Sequence, residues 1–130
     1  MQTAEQFMEL FLREQDKVGA AVRDLYRPFE ERFFEPDYLA LYTDSRAARE
    51  KKRETLLTAE DYGEIADAIT TRRGGVPKRY RYHLRRFGTT RRIQEREREC
   101  LLCQGTGKQH GDSCETCHGT GWKDMMKDDS

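Results

Sequence analysis

Two copies of one short cysteine motif constrain the fold of this chain more than any other feature. The first copy reads Cys-Leu-Leu-Cys-Gln-Gly-Thr-Gly over residues 100–107, and the second reads Cys-Glu-Thr-Cys-His-Gly-Thr-Gly over residues 114–121. Two cysteines separated by two residues can direct both sulfur atoms at one metal ion, and two such pairs complete a tetrahedral site. The predicted ligands are the four cysteines of the chain: Cys100, Cys103, Cys114 and Cys117. Because four protein ligands leave no open position, we predict one structural zinc ion per chain.

Glycines follow each cysteine pair at fixed positions, and we predict that they turn the chain so that backbone N–H groups face the sulfur atoms. These metal-loop glycines are Gly105, Gly107, Gly119 and Gly121. Iron bound by the same four ligands is an alternative to zinc, because iron also accepts four thiolates. His110 or His118 could replace a cysteine as a metal ligand, but we favour exposed loop positions for both histidines. Disulfides and a thioredoxin-like site are less favoured, because neither an apolar signal segment nor a βαβ pattern is present.

The repeated Cys-x-x-Cys-x-Gly-x-Gly pattern resembles the cysteine-rich zinc region of DnaJ-type co-chaperones. The resemblance covers residues 100–122 and implies zinc binding together with association with other proteins. DnaJ proteins carry four copies and two zinc ions, whereas this chain has two copies, enough for one ion. The sequence contains no His-Pro-Asp J-domain motif, so stimulation of an Hsp70-type ATPase is not implied.

An amphipathic helix is predicted over residues 3–35. Thr3 and Gln6 fit a capping box in which each side chain accepts a hydrogen bond from a backbone N–H group. Pro28 is predicted to end or kink this helix, and residues 29–34 are predicted to form a second short helix that Pro36 stops. Apolar residues recur at three- and four-residue steps along one face: Phe7, Leu10, Phe11, Val18, Ala21, Val22 and Leu25.

The segment from residue 37 to residue 73 fits more than one structure. Around Tyr38 the sequence fits a helical turn or an edge strand, and residues 45–54 have the alternating charge that is typical of a solvated helix face. Residues 59–73 fit a helical period, with Thr58 and Asp61 as a cap, but their second half also fits a strand. We predict a strand for the second half, because a Gly74-Gly75 turn follows.

The strongest strand pattern covers residues 78–100. Tyr80, Tyr82 and Leu84 alternate with basic side chains, as expected for a strand with one buried face. Residues 88–90 favour a turn, after which a second strand runs directly into Cys100. Pairing of the two strands would set the arginine face of the first beside acidic side chains of the second: Glu95, Glu97 and Glu99.

These elements predict an α+β fold in which N-terminal helices pack on a curved antiparallel sheet. Their order resembles the nuclear-transport-factor-two-like (SnoaL-like) fold, whose cone-shaped sheet encloses a pocket. The expected divisions are a cone-like domain over residues 1–99, a zinc-binding knuckle pair over residues 100–122 and a polar tail over residues 123–130. Enzymes with this cone place Asp and His in the pocket. Here His83 is expected to face the charged side of its strand, and Asp67 has no partner that the sequence identifies.

The function expected from these features is non-catalytic: protein–protein interaction or a chaperone-like adaptor role with structural zinc. No nucleophile, paired carboxylates or phosphate-binding loop is apparent, although an isomerase- or dehydratase-type enzyme using the pocket stays an alternative. RNA binding through the basic hairpin 72–92 is the other alternative, with these candidate residues: Arg79, Tyr80, Arg81, Tyr82, Arg85 and Arg86. A protein partner, a homodimer and a cytoplasmic location are expected, and no membrane association, since no apolar run reaches about 20 residues.

Overall fold

The computed structural model describes residues 2–18, 23–40, 54–73 and 78–124 of the 130-residue chain. Three predictions fall wholly or largely outside these ranges: the charged helix face over residues 45–54, the Gly74-Gly75 turn and the tail beyond residue 124. The apolar positions predicted at residues 21 and 22 lie outside them as well.

Within the described residues, three helices precede the sheet: α1 (Ala4–Val18), α2 (Arg23–Phe33) and α3 (Pro36–Leu39). The predicted capping box begins α1, where the backbone N–H of Gln6 donates to Thr3 Oγ1 at 3.1 Å and that of Thr3 donates to Gln6 Oε1 at 3.0 Å. Among the described residues, no helix has the length and apolar character needed to cross a membrane.

Helix α2 continues through Pro28. A helix end at Pro28, one of the two alternatives predicted for that residue, and a separate helix that starts at residue 29 are therefore both wrong. Proline cannot donate the helical hydrogen bond and disfavours a helix interior. Burial of the neighbouring rings offsets this cost. Phe29 and Phe33 are 3% and 4% exposed, and their ring centres lie 5.4 and 5.5 Å from that of Phe11 in α1.

In the part of the chain that the structure describes, five antiparallel strands form the main sheet in the spatial order β1-β2-β3-β4-β7. Their bounds are β1 (Glu54–Tyr62), β2 (Ile65–Arg72), β3 (Arg79–Phe87), β4 (Thr90–Glu99) and β7 (Trp122–Asp124), while β5 (Lys108–Gln109) and β6 (Asp112–Ser113) form a separate pair. The helical alternative for residues 59–73 is therefore wrong, and the strand predicted for their second half is confirmed as β2. Asp61 does not cap a local helix; its carboxylate accepts a hydrogen bond from the backbone N–H of Ala4 at 3.1 Å, at the start of α1.

The core lies between the helices and the inner face of the sheet. Tyr80, Tyr82 and Leu84 point to this face and are fully buried, as their alternation in the sequence predicts. The ring of Phe11 in α1 meets that of Tyr82 edge-on, with ring centres 5.5 Å apart. Tyr38, in α3, packs parallel to Phe34 at 6.0 Å. The predicted α+β arrangement of N-terminal helices on an antiparallel sheet is confirmed.

A buried ion pair joins the first residue of β1 to β4 inside this core. Glu54 Oε2 lies 3.0 Å from Arg96 Nη2, and both side chains are 0% exposed. Gln15, Thr70 and Tyr82 donate further hydrogen bonds to the Glu54 carboxylate at 2.7, 2.6 and 2.5 Å. Burial raises the pKa of Glu54, but the Arg96 charge and these hydrogen bonds outweigh burial and lower the pKa below its ordinary value. The carboxylate is therefore held ionised in the core.

Candidate metal centre

The four cysteines meet at one buried point directly after β4. Cys100 Sγ lies 3.9 Å from Cys114 Sγ, Cys103 Sγ lies 3.6 Å from Cys117 Sγ, and all four sulfur atoms lie within 4.8 Å of one another. A zinc ion with tetrahedral Zn–S bonds of about 2.3 Å requires sulfur–sulfur distances of about 3.8 Å. The side chains are at most 5% exposed. The cluster is therefore able to hold one metal ion.

Each knuckle directs a backbone N–H group at its second sulfur. The N–H of Gly107 donates to Cys103 Sγ at 3.3 Å, and that of Gly121 donates to Cys117 Sγ at 3.2 Å. The four metal-loop glycines have positive φ angles between 78° and 84°, the conformation that the motif predicts. Donation to sulfur stabilises the thiolate form, which is the form that binds a metal.

The two knuckles also hold each other by a reciprocal pair of hydrogen bonds. The N–H of Cys100 donates to the Gly121 carbonyl oxygen at 2.9 Å, and the N–H of Cys114 donates to the Gly107 carbonyl oxygen at 2.8 Å. A Cβ atom at Gly107 would overlap the carbonyl oxygen of Gly119. Glycine is required at this position both for its positive φ and for this close approach.

The thiol groups differ in acidity. Burial raises the pKa of the Cys100 thiol to about 11. Burial also raises the pKa of Cys117, but the N–H of Gly121 and the neighbouring thiols outweigh that effect and lower the pKa to about 6. A metal that binds all four as thiolates must therefore displace protons from the cluster. His110 and His118 are exposed, both with φ of 55°, and neither belongs to the cluster.

The chain returns to the sheet directly after the second knuckle. Strand β7 pairs with β4, with Trp122 opposite Glu99. The guanidinium groups of Arg79 and Arg81 lie over the Trp122 ring, 5.4 and 4.7 Å from its centre. Such cation–π contacts are worth about 0.5–1 kcal/mol each when exposed. Both ends of the metal centre are thereby anchored to the sheet.

The basic hairpin is largely engaged with carboxylates. Nitrogen atoms of the four candidate arginines lie 2.8 to 3.7 Å from carboxylate oxygens of four partners, in the pairs Arg79–Glu99, Arg81–Glu97, Arg85–Glu35 and Arg86–Glu64. The remaining candidates, Tyr80 and Tyr82, are fully buried against the helices. Their rings are not available to stack on bases, and nucleic-acid binding by the arginines stays a prediction.

A second polar cluster lies on the outer face of the sheet and was missed by the sequence reasoning. Asp67 does have a partner: its Oδ1 lies 2.8 Å from His83 Nδ1. On the other side of the ring, His83 Nε2 lies 2.6 Å from Glu97 Oε1. The hydrogen bond to Glu97 raises the pKa of His83, an effect that burial opposes and Asp67 reinforces. The pairing of β2 with β3 sets Asp67 directly opposite His83, and only that register reveals the contact.

A groove lies beside the first knuckle, and β1, β2, β3 and β4 all contribute residues to its lining. It has a volume of about 670 Å³, with Leu57 of β1 and Leu101 of the knuckle among its walls and Arg79, Glu99 and Gln104 along its polar side. Leu57 and Leu101 are 51% and 59% exposed. The groove therefore presents apolar side chains to solvent beside the metal centre.

No protein-family model, no curated protein and no solved structure matches this chain. The resemblance to the DnaJ zinc region consequently rests on the motif of residues 100–122 alone. The geometry of the four cysteines stands independently of it.

Proposed function

We propose that this chain is a zinc protein that binds other proteins without catalysing a reaction, and that its zinc has a structural role. The sulfur–sulfur distances of 3.6 and 3.9 Å fit tetrahedral zinc. Four cysteine ligands would fill the coordination sphere, so the ion would have no position for a substrate. The ion would fix the knuckles at the edge of the sheet, and the knuckles would in turn form part of the binding surface.

A difference between the two knuckles carries the binding proposal. In the first knuckle the residues between the cysteines are Leu101 and Leu102, and each is 59% exposed. In the second knuckle the equivalent positions hold Glu115 and Thr116. Both knuckles have the same metal-binding geometry although the residues between their cysteines differ, so metal binding itself does not require leucine. Exposed apolar side chains that lie next to one another, as these two leucines do, form the kind of contiguous patch that marks an interaction site.

The occupant that fits this surface is an extended apolar segment of another protein. Leu57 and Leu101 face solvent across the groove and would receive apolar side chains. Strand β1 lies at the edge of the sheet and, among the described residues, pairs only with β2. An extended segment could therefore add main-chain hydrogen bonds along β1 while its side chains enter the groove. The motif's resemblance to a co-chaperone zinc region supports the same class of partner.

Binding can be tested with a fluorescently labelled peptide of about ten residues in which leucine alternates with serine. Fluorescence anisotropy of the zinc-loaded chain should show saturable binding. Leu101→Ser combined with Leu102→Ser should weaken it at least tenfold, since burial of one leucine is worth about 1.5–3 kcal/mol and 1.4 kcal/mol is tenfold. Glu115→Ser is the matched control on the other knuckle and should bind like the unaltered chain.

The structural role of the metal needs a separate test. Elemental analysis should find one zinc per chain, and Cys103→Ser should lose both the metal and the peptide affinity, because the first knuckle would no longer be fixed. Peptide binding that persists in the zinc-free variant would contradict the structural role. Failure of the unaltered, zinc-loaded chain to bind the peptide would contradict the binding function itself, and tightly bound iron in place of zinc would overturn the assignment of the metal.

A further inference from the structure

The outer-face cluster of His83, Glu95 and Glu97 has the composition and spacing of a second metal site. Its ligand atoms, one imidazole nitrogen and two carboxylate oxygens, all lie within 4.8 Å of one another. His83 Nε2 lies 2.6 Å from Glu97 Oε1 and 3.9 Å from Glu95 Oε1. Glu97 lies only three residues before Cys100 along the chain, but the cluster shares no ligand with the cysteine site and uses a different set of donor atoms.

The register of the sheet builds this cluster. Strand β3 sets His83 between Asp67 on β2 and Glu95 on β4, each directly opposite it, and Glu97 lies one step further along β4. The four side chains therefore share the face of the sheet that is turned away from the helices. The side chains of His83 and Glu97 are 26% and 12% exposed, and that of Glu95 is 42% exposed.

The orientation of the imidazole is what distinguishes this cluster from an ordinary group of acidic residues. His83 Nδ1 lies 2.8 Å from Asp67 Oδ1, so a proton on Nδ1 is donated to that carboxylate and Nε2 faces the two glutamates. Metal-binding histidines almost always donate their second ring nitrogen in this way, which fixes the tautomer and raises the basicity of the ligating nitrogen. Here the carboxylate behind the histidine is already in position.

The local charge also matches a divalent cation. Asp67, Glu95 and Glu97 carry three negative charges, and Arg81, whose Nε donates to Glu97 Oε1 at 2.8 Å, carries one positive charge. His83 Nε2 donates a proton to Glu97 in the metal-free cluster, at 2.6 Å, and an incoming cation would displace that proton. Asp67, Glu95, Glu97 and Arg81 then carry a net charge of −2 around a neutral His83. Glu60 adds a further carboxylate on the same rung, opposite Asp67, and like charges directly opposite one another destabilise a sheet unless they are compensated.

From this geometry we infer that His83, Glu95 and Glu97 form a binding site for a divalent first-row transition metal ion, with Asp67 as the positioning residue for His83. One nitrogen and two oxygen donors suit zinc, cobalt or manganese, in contrast to the all-sulfur site. With metal–ligand distances of about 2.0–2.1 Å, Nε2 and the Glu97 oxygen must separate to about 3 Å to share an ion. Three protein ligands leave positions open, so this ion would be accessible to water and to small anionic ligands.

The test uses the full chain with zinc in its cysteine site and Co²⁺ as the probe. Equilibrium dialysis should show one further equivalent of bound Co²⁺, and the absorption spectrum should contain the weak d–d bands of nitrogen and oxygen ligation without sulfur-to-cobalt charge transfer. His83→Gln and Glu95→Gln should each weaken Co²⁺ binding at least tenfold. Asp67→Asn should weaken it about 10- to 100-fold, the usual effect of removing the partner of a ligating histidine.

Glu60→Gln is the matched control. It removes one negative charge from the same rung but no ligand, so it should change the Co²⁺ affinity less than threefold. Urea unfolding of each variant would establish that the sheet is intact. Because Glu95 is half-exposed, Glu95→Gln should not unfold the sheet. The proposed site would be overturned if dialysis showed no second equivalent of Co²⁺, or if bound cobalt always showed sulfur charge-transfer bands. An equal loss of Co²⁺ affinity in Glu60→Gln and Glu95→Gln would also overturn it.

Discussion

Replacement of Arg96 by methionine tests whether the buried ion pair governs the stability of this fold. The substitution keeps the length and apolar stem of the side chain but removes the positive charge that lies 3.0 Å from Glu54. The carboxylate would stay fully buried with its hydrogen bonds from Gln15, Thr70 and Tyr82 but without a counter-ion. Removal of one partner of a buried pair costs about 3–5 kcal/mol. We expect a loss near 3 kcal/mol, since three hydrogen bonds remain.

The decisive comparison is the double variant Glu54→Gln, Arg96→Met. Glu54→Gln alone leaves Arg96 as an uncompensated charge in the core, so it should cost as much as Arg96→Met. The double variant buries no charge, and its amide oxygen can still accept a hydrogen bond. It should therefore be more stable than either single variant by at least about 1 kcal/mol.

Urea unfolding followed by far-ultraviolet circular dichroism measures these differences. Zinc must be held at one saturating concentration, because ligand binding shifts the apparent stability. With a slope of about 1–3 kcal/mol per molar urea, a loss of 3 kcal/mol lowers the midpoint by about 1–3 M. A double variant whose loss equals the sum of the two single losses would refute the reasoning, because it would show that the two charges do not interact.

Acidification supplies a second test of the same pair. The pKa of Glu54 is lowered in the folded chain from an ordinary value of 4.5. A lowered folded-state pKa contributes stability that is present above the unfolded-state value and is lost as pH falls through the folded-state value. The stability advantage of the unaltered chain over Glu54→Gln should therefore shrink from pH 7 towards pH 3. Metal release at low pH affects both proteins and cancels in this difference.

Three further predictions concern the metal centre. Gly107→Ala should abolish or strongly weaken zinc binding in a chelator competition, because its Cβ would overlap the Gly119 carbonyl oxygen. The control is Gly111→Ala, at a glycine with φ of 85° where an added Cβ would have no atom within 4 Å. This control should lower the free energy of unfolding by only about 1–2 kcal/mol. Removal of zinc with a chelator should shift Trp122 fluorescence to longer wavelength as the ring leaves Arg81, with little change in the circular dichroism of the sheet; an unchanged emission spectrum would contradict the coupling. Zinc binding should release protons and weaken on acidification, measured by calorimetry in two buffers of different ionisation enthalpy.

The cysteine spacing and the alternation in β3 could be predicted from the sequence because both depend on neighbouring residues. Two residues between cysteines and a glycine four residues after the second thiol define a knuckle locally, whatever surrounds it. The alternation of Tyr80, Tyr82 and Leu84 with charged residues likewise defines a buried face. The cysteine spacing identified the candidate ligands, and the alternation in β3, together with the helical period of the N-terminal segment, predicted the α+β class.

Pairing between distant residues was decided by the tertiary structure alone. Glu54 and Arg96 are 42 positions apart, and only the folded sheet sets them in contact inside the core. The Asp67–His83 contact depends on the register of β2 with β3, since a shift of one residue would move a side chain to the opposite face. The continuation of α2 through Pro28 depends on burial of rings against another helix. The sequence by itself determines the knuckles and the buried face of β3, because their causes are local, whereas the ion pair and the outer-face cluster arise from contacts that exist only in the folded sheet.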